Sequence, residues 1–403
     1  MEREDFLRLA GPAGQALLGS IDYSQEKDVV ALVSKLRAEG HDPLTVAVVL
    51  TQAKLRKRAK AKFGEFADQM LFTEAGLEQA SRLKVAALHA GRFRSAGIKE
   101  VADLGCGIGS EAMAMAAIGL EVKAFEIDEV TAAVATYNLA AFENATVEVA
   151  DVENLDLSGF ESLFFDPARR DLTGPKKANA QRHFDPSHYS PNFDFVIQAA
   201  KTKPTGIKLG PGHDKRHIPV DAEAQWISVD GDLVELGLWF GKVKREGISR
   251  AALKISGTSQ FEITSAELDS PNAELAELGE FVYEPDNSLI RSRLISDFAN
   301  PLGLRIFSPE IAYLTSDAKL SSPWLKGYRV IDNLVFDRKK LKAYIKQNQI
   351  GVLEIKKRGS DISPEALRKE LAPKGQGAAT LIVTRVGDAH RVLITQPISD
   401  ETA

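Results

Sequence analysis

The chain has 403 residues, more than the roughly 250–300 at which one hydrophobic core stops growing, so two or three domains are expected. Its composition, 44% hydrophobic and 27% charged, is that of a globular protein. No apolar run approaches the roughly 20 residues of a bilayer span, and the acidic N-terminus lacks a signal-peptide pattern, so the expected compartment is cytoplasmic. Cys106 is the only cysteine, which excludes an intramolecular disulfide and a cysteine-based zinc site. The net charge of −5 is uneven: from residue 320 onward 15 Lys/Arg face 9 Asp/Glu, against 36 and 47 in the remainder. An acidic body with a basic tail suits either a tail that meets an anion such as nucleic acid or a solvated basic face.

The first 95 residues have helical periodicity, with short apolar helices at 29–36 and 46–50 and a helix start at Asp42-Pro43. Lys54, Arg56, Lys57, Arg58, Lys60 and Lys62 then form a dense basic face, read as a solvated helix surface or as a contact for an RNA backbone. From 99 to 256 strands and helices alternate. Strands are predicted at 100–104, 121–126, 146–150, 161–166 and 205–209, and helices at 109–118, 129–142 and 193–201. Residues 226–240 form a strand, an Asp-Gly turn and a second strand, a hairpin signal. The polar stretch 265–280 is expected on the surface, and 288–299 as one helix capped by Asn287 or Ser288. The tail predicts a strand at 328–336, a helix at 338–347, a strand at 351–355, a helix at 364–371, and a final hairpin at 379–386 and 390–395.

Chemistry concentrates at Val101-Ala102-Asp103-Leu104-Gly105-Cys106-Gly107-Ile108-Gly109-Ser110, an apolar strand that runs through a glycine turn into a helix. Glycines permit positive φ and let a ligand touch the backbone. Glu126 ends the next strand and Asp151 follows the third. Acids at strand ends can accept hydrogen bonds from ribose hydroxyls, or cap helices. Dinucleotide sites space their glycines G-x-G-x-x-G and hold a pyrophosphate. Here the glycines alternate and Asp103 precedes them, a charge that suits a cofactor carrying an ammonium group. The segment resembles motif I of class I S-adenosylmethionine-dependent methyltransferases. That resemblance implies S-adenosyl-L-methionine as cofactor, held by Asp103, Gly105, Gly107, Gly109, Glu126 and Asp151, with Asp151 at the adenine amino group.

After the fourth strand comes Asp166-Pro167-Ala168-Arg169-Arg170-Asp171, placed by the strand order beside the cofactor crevice. It resembles the Asp/Asn-Pro-Pro-aromatic motif of base amino-methyltransferases, with Ala168 and Arg169 replacing the second proline and the aromatic. The resemblance implies catalytic roles for Asp166 and Pro167, which accept hydrogen bonds from the target N–H, and contact of Arg169 and Arg170 with a base or phosphate. RNA uridine C5-methyltransferases carry a related Asp-Pro-Pro-Arg but need a cysteine nucleophile, and Cys106 lies in the glycine turn, so N-methylation is the expected chemistry. His183, His188, His213 and His217 fall after strands four and five, among Lys176, Lys177, Arg182, Lys215 and Arg216, a basic rim suited to a phosphate-bearing substrate. His213 is a candidate for substrate contact. His213 and His217 alone are a weak metal signature, and no metal is expected.

Lys356, Lys357 and Arg358 end a predicted tail strand. Together with Tyr283-Glu284-Pro285-Asp286 and Ile311-Ala312-Tyr313-Leu314-Thr315 they resemble bacterial methyltransferases with a C-terminal THUMP-like domain, which implies RNA, tRNA or rRNA, as partner and these three cations as RNA contacts. The expected fold is α/β: a Rossmann-like class I methyltransferase sheet (96–260) with an N-terminal helical region (1–95), a connecting segment (261–325) and a small C-terminal α+β THUMP-like domain (326–403). The expected function is N-methylation of an RNA base. The alternatives are a small-molecule or protein methyltransferase, and an RNA-binding protein with a vestigial cofactor fold. No sequence feature specifies an oligomeric state or a membrane role.

Overall fold

A computed structural model describes residues 1–21, 23, 28–169 and 189–398. The chain divides into two units. The first comprises Met1–Leu209, His213–His217 and Leu238–Arg245, and the second Gly210–Gly212, Ile218–Gly237 and the chain from Glu246 onward.

The first unit opens with helices Arg3–Ala10, Pro12–Ser20, Val29–Ala38 and Pro43–Phe63. The last begins where the sequence signals it: Asp42 accepts the Thr45 N–H at 2.9 Å and Pro43 occupies the first turn, where its missing N–H costs nothing. Leu9, Leu17, Val49, Leu55 and Phe63 are buried in one core with Ala112, Met115 and Ala135 of the helices on the sheet. These helices therefore pack on the α/β layer itself. Most cations of Pro43–Phe63 have partners within the unit. Arg56 Nε donates to the Met70 carbonyl at 2.9 Å, Arg58 pairs with Glu74, and Lys60 lies 2.9 Å from Asp68.

Five parallel strands follow: β1 (Glu100–Leu104), β2 (Glu121–Glu126), β3 (Ala145–Val149), β4 (Leu163–Phe165) and β5 (Thr205–Leu209). Their spatial order is β3-β2-β1-β4-β5, so the order reverses between β1 and β4. In open α/β sheets that switch point opens a crevice at the carboxyl ends of the strands. Here those ends are Gly105 and Asp166. Helices Ser110–Ala117, Glu129–Leu139 and Phe193–Ala200 complete the alternation, close to the predicted bounds. Buried Asn138 ties the helix Glu129–Leu139 to two loops. Its Nδ2 donates to the carbonyls of Leu71 and Ile108 at 3.0 and 2.9 Å, and its Oδ1 accepts the Leu71 N–H at 2.8 Å.

In the second unit β6 (Glu223–Val229) turns through Asp230 and Gly231, both at positive φ (52° and 91°), into β7 (Asp232–Phe240). Two positive-φ residues match the turn to the twist of a hairpin, as the Asp-Gly signal implies. Beyond this hairpin β8 (Arg250–Ser256) pairs parallel to β6, and β9 (Ser259–Ser265) antiparallel to β8. The run Ala251-Ala252-Leu253 is buried and carries no alternation that would mark it as a strand.

A second sheet joins β10 (Phe281–Pro285), β11 (Arg305–Ile306), β12 (Leu314–Ser316), β13 (Leu325–Val335), β14 (Ile350–Lys357), β15 (Gly377–Val386) and β16 (Ala389–Pro397) in the order β11-β12-β10-β13-β16-β15-β14. The segment 261–325, expected as a connection, thus supplies three of its strands. The single helix expected at 288–299 is two, Asn287–Arg291 and Ile295–Ala299, and the cap of the first is Asp286 rather than Asn287 or Ser288, accepting the Ser288 N–H at 2.9 Å. The break follows from a buried cation. Arg250 Nη1 donates to the carbonyls of Ser292 and Arg293 at 2.7 and 3.0 Å, and Arg293 takes φ 59°.

Asn138→Ala leaves an N–H and two carbonyls without their partner, and a buried unpaired group costs about 1–3 kcal/mol. The variant is expected to lower the thermal unfolding midpoint in calorimetry. A midpoint equal to that of the parent would show that Asn138 does not tie the loops.

Candidate active site

The carboxyl ends of β1, β2 and β4 border a cavity of about 320 Å³ in the first unit. Beyond Leu104 the chain turns through Gly105, Gly107 and Gly109 at φ 92°, 56° and 83°, values that residues with a Cβ rarely adopt. Gly105 and Cys106 both donate their N–H to the Phe125 carbonyl at 2.9 Å, which locks the turn onto β2. No atom lies within 4 Å of where a Gly107 Cβ would stand, so that backbone is open to the cavity it lines.

Glu126 also lines the cavity, and its orientation is set. Oε2 accepts the Gly107 N–H and Oε1 the Asp128 N–H, both at 3.0 Å. Asp151 does two things at once. It lines the cavity, and it caps a short turn by accepting from Glu153 N–H at 3.1 Å and Asn154 Nδ2 at 2.9 Å. Asp103 is different: it lies in β1 with no exposure and is not part of the lining. Neither of its oxygens has a hydrogen bond of normal geometry. Burial, reinforced by Glu111 and Asp166, pushes its carboxyl well above the usual range. Glu111 escapes that fate. Burial opposes its ionisation too, but His89 at 3.1 Å holds it below its ordinary value.

Asp166 reaches the cavity from the end of β4. In the β4–β5 register Phe165 faces Ile207, which sets Asp166 beside Lys208. Lys208 Nζ lies 2.5 Å from Asp166 Oδ2 and donates to the Gln79 carbonyl at 3.0 Å. Pro167 is buried, and Ala168–Arg169 pairs antiparallel with Tyr189–Ser190. Arg170, His183 and His188, with Lys176, Lys177 and Arg182, lie outside the described residues. His213 is buried away from the cavity lining, with Nδ1 3.4 Å from the Tyr189 hydroxyl and its ring 5.1 Å from that of Phe193.

Two site elements escape sequence reasoning. Lys208 is one, although a lysine inside the apolar strand Ile207-Lys208-Leu209 is a signal of its own. The other is the wall formed by Thr73, Ala75, Gly76, Gln79 and Ala80, contributed from before β1. Lys62 pins this wall by donating to the carbonyls of Leu77, Glu78 and Ala80 at 2.9, 2.8 and 2.6 Å. Burial, with Lys208 and Arg82 nearby, lowers the Lys62 ammonium to about 8. A Cβ on Gly76 would stand 2.3 Å from Ile108 Cγ2, so the wall meets the glycine turn without a gap.

In the second unit the three segments singled out in the tail converge. Lys356 Nζ lies 2.6 Å from Glu284 Oε2, and Arg358 Nη2 lies 3.7 Å from Glu284 Oε1. Arg358 also stacks 5.0 Å from the centre of the Tyr313 ring. Lys357 is exposed. Among the described residues no three of His, Cys, Asp and Glu are grouped to hold a metal ion, and no helix is long and apolar enough to cross a membrane.

A parallel sheet with this strand order, a glycine turn and acids at successive strand ends defines a class I methyltransferase. Residues 325–397 match the THUMP domain-like family, and 2–59 match a domain of unknown function. An uncharacterised S-adenosylmethionine-dependent methyltransferase of Mycobacterium tuberculosis is 31% identical over 342 residues, covering 83% of this chain and 91% of the relative, in strains CDC 1551 and H37Rv alike. A crystal structure from Porphyromonas gingivalis W83, assigned as a methyltransferase, shares the fold at TM-score 0.68 and 20% identity, over 93% of this chain and 99% of that one. The chain belongs to the S-adenosylmethionine-dependent methyltransferases with a C-terminal THUMP-like domain. It is an enzyme whose cofactor is S-adenosyl-L-methionine.

Overpacking a tight contact costs about 1–3 kcal/mol. Gly76→Ala is therefore expected to weaken S-adenosylhomocysteine binding about tenfold in calorimetry. Ile108→Ala in the same chain removes the nearer of two clashes, the other being with Thr73 Oγ1, and should restore part of it. Parent-like affinity for the single variant would separate the wall from the cofactor.

Proposed function

We propose that this enzyme methylates a nitrogen of a base in RNA, tRNA or rRNA, in the cytoplasm. The observation that carries the reading is Asp166, a carboxylate at the switch point, in one cavity with the glycine turn and fixed by Lys208.

The residues present suit the cofactor. The open backbone of Gly105 and Gly107 admits its amino acid portion, Gly109 starts the following helix, Glu126 presents a carboxylate to the ribose hydroxyls, and Asp151 serves the adenine. The cofactor's ammonium would favour ionisation of Asp103, an acid that lies outside the cavity lining and whose carboxyl burial raises. When bound, the cofactor would supply a sulfonium methyl to a neutral nitrogen, with the S–C bond breaking, S-adenosylhomocysteine leaving and the surplus N–H proton passing to solvent.

Lys208 holds Asp166 in place at Oδ2, and the carboxylate accepts an N–H of the acceptor, aiming the nitrogen lone pair. Alignment of this kind is worth orders of magnitude in rate. The Pro167 carbonyl is a second acceptor for the same amine. Cys106 does not suit covalent carbon methylation, because burial pushes its thiol well above the ordinary value and starves it of thiolate. Arg169 and Arg170 follow Asp166 in the chain and serve phosphate or base. The match of 325–397 to a THUMP-like domain supports RNA as the substrate.

Methyl-label transfer to RNA from cells lacking this enzyme, followed by nucleoside analysis, tests the reading. Asp166→Ala is expected to lower transfer about 100-fold while S-adenosylhomocysteine affinity stays within about twofold. Label in a small molecule or a protein, with none in RNA, would overturn the substrate assignment. Undiminished transfer by the variant would overturn the role of Asp166.

A further inference from the structure

Two of the three cations at the end of β14 are spoken for: Lys356 and Arg358 share Glu284 within the second unit, while Lys357 is exposed. The helix Arg338–Gln347 carries a denser group, five cations with no acid in its own sequence. Leu341 and Ile345, 2% and 1% exposed, bury its apolar face in a core with Leu353, Leu367 and Leu371. Asp337 caps the helix by accepting the Lys340 N–H at 2.9 Å, and Arg338 lies 2.6 Å from Glu370. Lys339, Lys342 and Lys346 are exposed, and none of the three makes an ion pair among the described residues.

Positions i, i+3 and i+7 fall on one stripe of a helix, here beside the buried face of Leu341 and Ile345, and span about 10 Å. Three like charges so placed repel one another, and bound anions relieve the repulsion. The apolar face is consumed by the core, so this helix has nothing to insert into a lipid surface. A row of lysines without an apolar or planar partner grips phosphates as point charges, without reading bases.

We propose that the stripe Lys339, Lys342 and Lys346 is the surface by which the THUMP-like domain holds the phosphate backbone of the RNA substrate. This rests on the RNA reading above and adds where the RNA docks. The strand-end cations Lys356 and Arg358 then serve the architecture of the domain.

The test uses the full chain and fluorescence anisotropy with labelled bulk tRNA and with fragmented rRNA, each over a salt series. The triple variant Lys339→Gln, Lys342→Gln, Lys346→Gln is expected to lose affinity by about tenfold or more near 0.1 M salt, and its slope of log K against log salt should fall by roughly 2–3. Its unfolding midpoint and S-adenosylhomocysteine affinity should match the parent, which excludes misfolding as the cause. A parent enzyme that binds neither RNA overturns the RNA reading and the docking surface together. A parent that binds RNA, with a triple variant of equal affinity and slope, overturns the docking surface alone. Binding of phosphatidylglycerol vesicles that displaces RNA and is lost in the variant would assign the stripe to a membrane instead.

Discussion

The first unit is organised around one backbone turn, Gly105–Gly109. Sterics leave that turn to glycine, because three of its residues take positive φ within five positions. Everything around it serves to hold a flexible segment in one conformation. The Phe125 carbonyl takes two of its N–H groups, Glu126 takes a third, and Asn138 takes the Ile108 carbonyl. Gly76 closes the remaining side at van der Waals contact. Glycine costs conformational entropy on ordering, so the turn stays open to a ligand only because its neighbours supply the order.

Two clusters of cations that stand out in the sequence are largely spent within the fold. The helix Pro43–Phe63 has a sequence dense enough in lysine and arginine to suggest a nucleic-acid surface. Folding turns Arg56 and Lys62 onto backbone carbonyls and Arg58 and Lys60 onto acids. Lys62 in particular closes the carbonyl end of the helix Glu74–Gln79, where a cation also meets a favourable helix dipole. The same happens at the end of β14, where Glu284 gathers Lys356 and Arg358. A run of cations in sequence therefore says little until its acid and carbonyl partners are placed.

The site combines local and remote contributions. Asp166 owes its place to the end of β4, and its fixed orientation to a lysine 42 residues away on β5. Gln79 shares that lysine, which joins the wall before β1 to Asp166 through one ammonium. The buried pair of His89 and Glu111 lies close by, so burial raises one acid, Asp103, while His89 holds another, Glu111, below its ordinary value within a few residues of the glycine turn.

The parallel strands, their helices and the tail elements were legible because each is encoded by local periodicity: Arg338–Gln347 and Pro364–Leu371 fall at their predicted limits. The glycine turn and the acids Glu126, Asp151 and Asp166 were legible because positive φ and strand-end carboxylates leave fixed marks in sequence. The break between Asn287–Arg291 and Ile295–Ala299 was not, since its cause, Arg250, is far away in the chain. Nor were Lys208, the Gly76 wall and the pairing of Lys356 with Glu284, whose roles exist only once distant strands and loops meet. Sequence by itself determined which backbone could turn and which strands could form, because those depend on neighbours along the chain. Only the tertiary structure decided which charges remain for a partner, because an ion pair depends on distance in space.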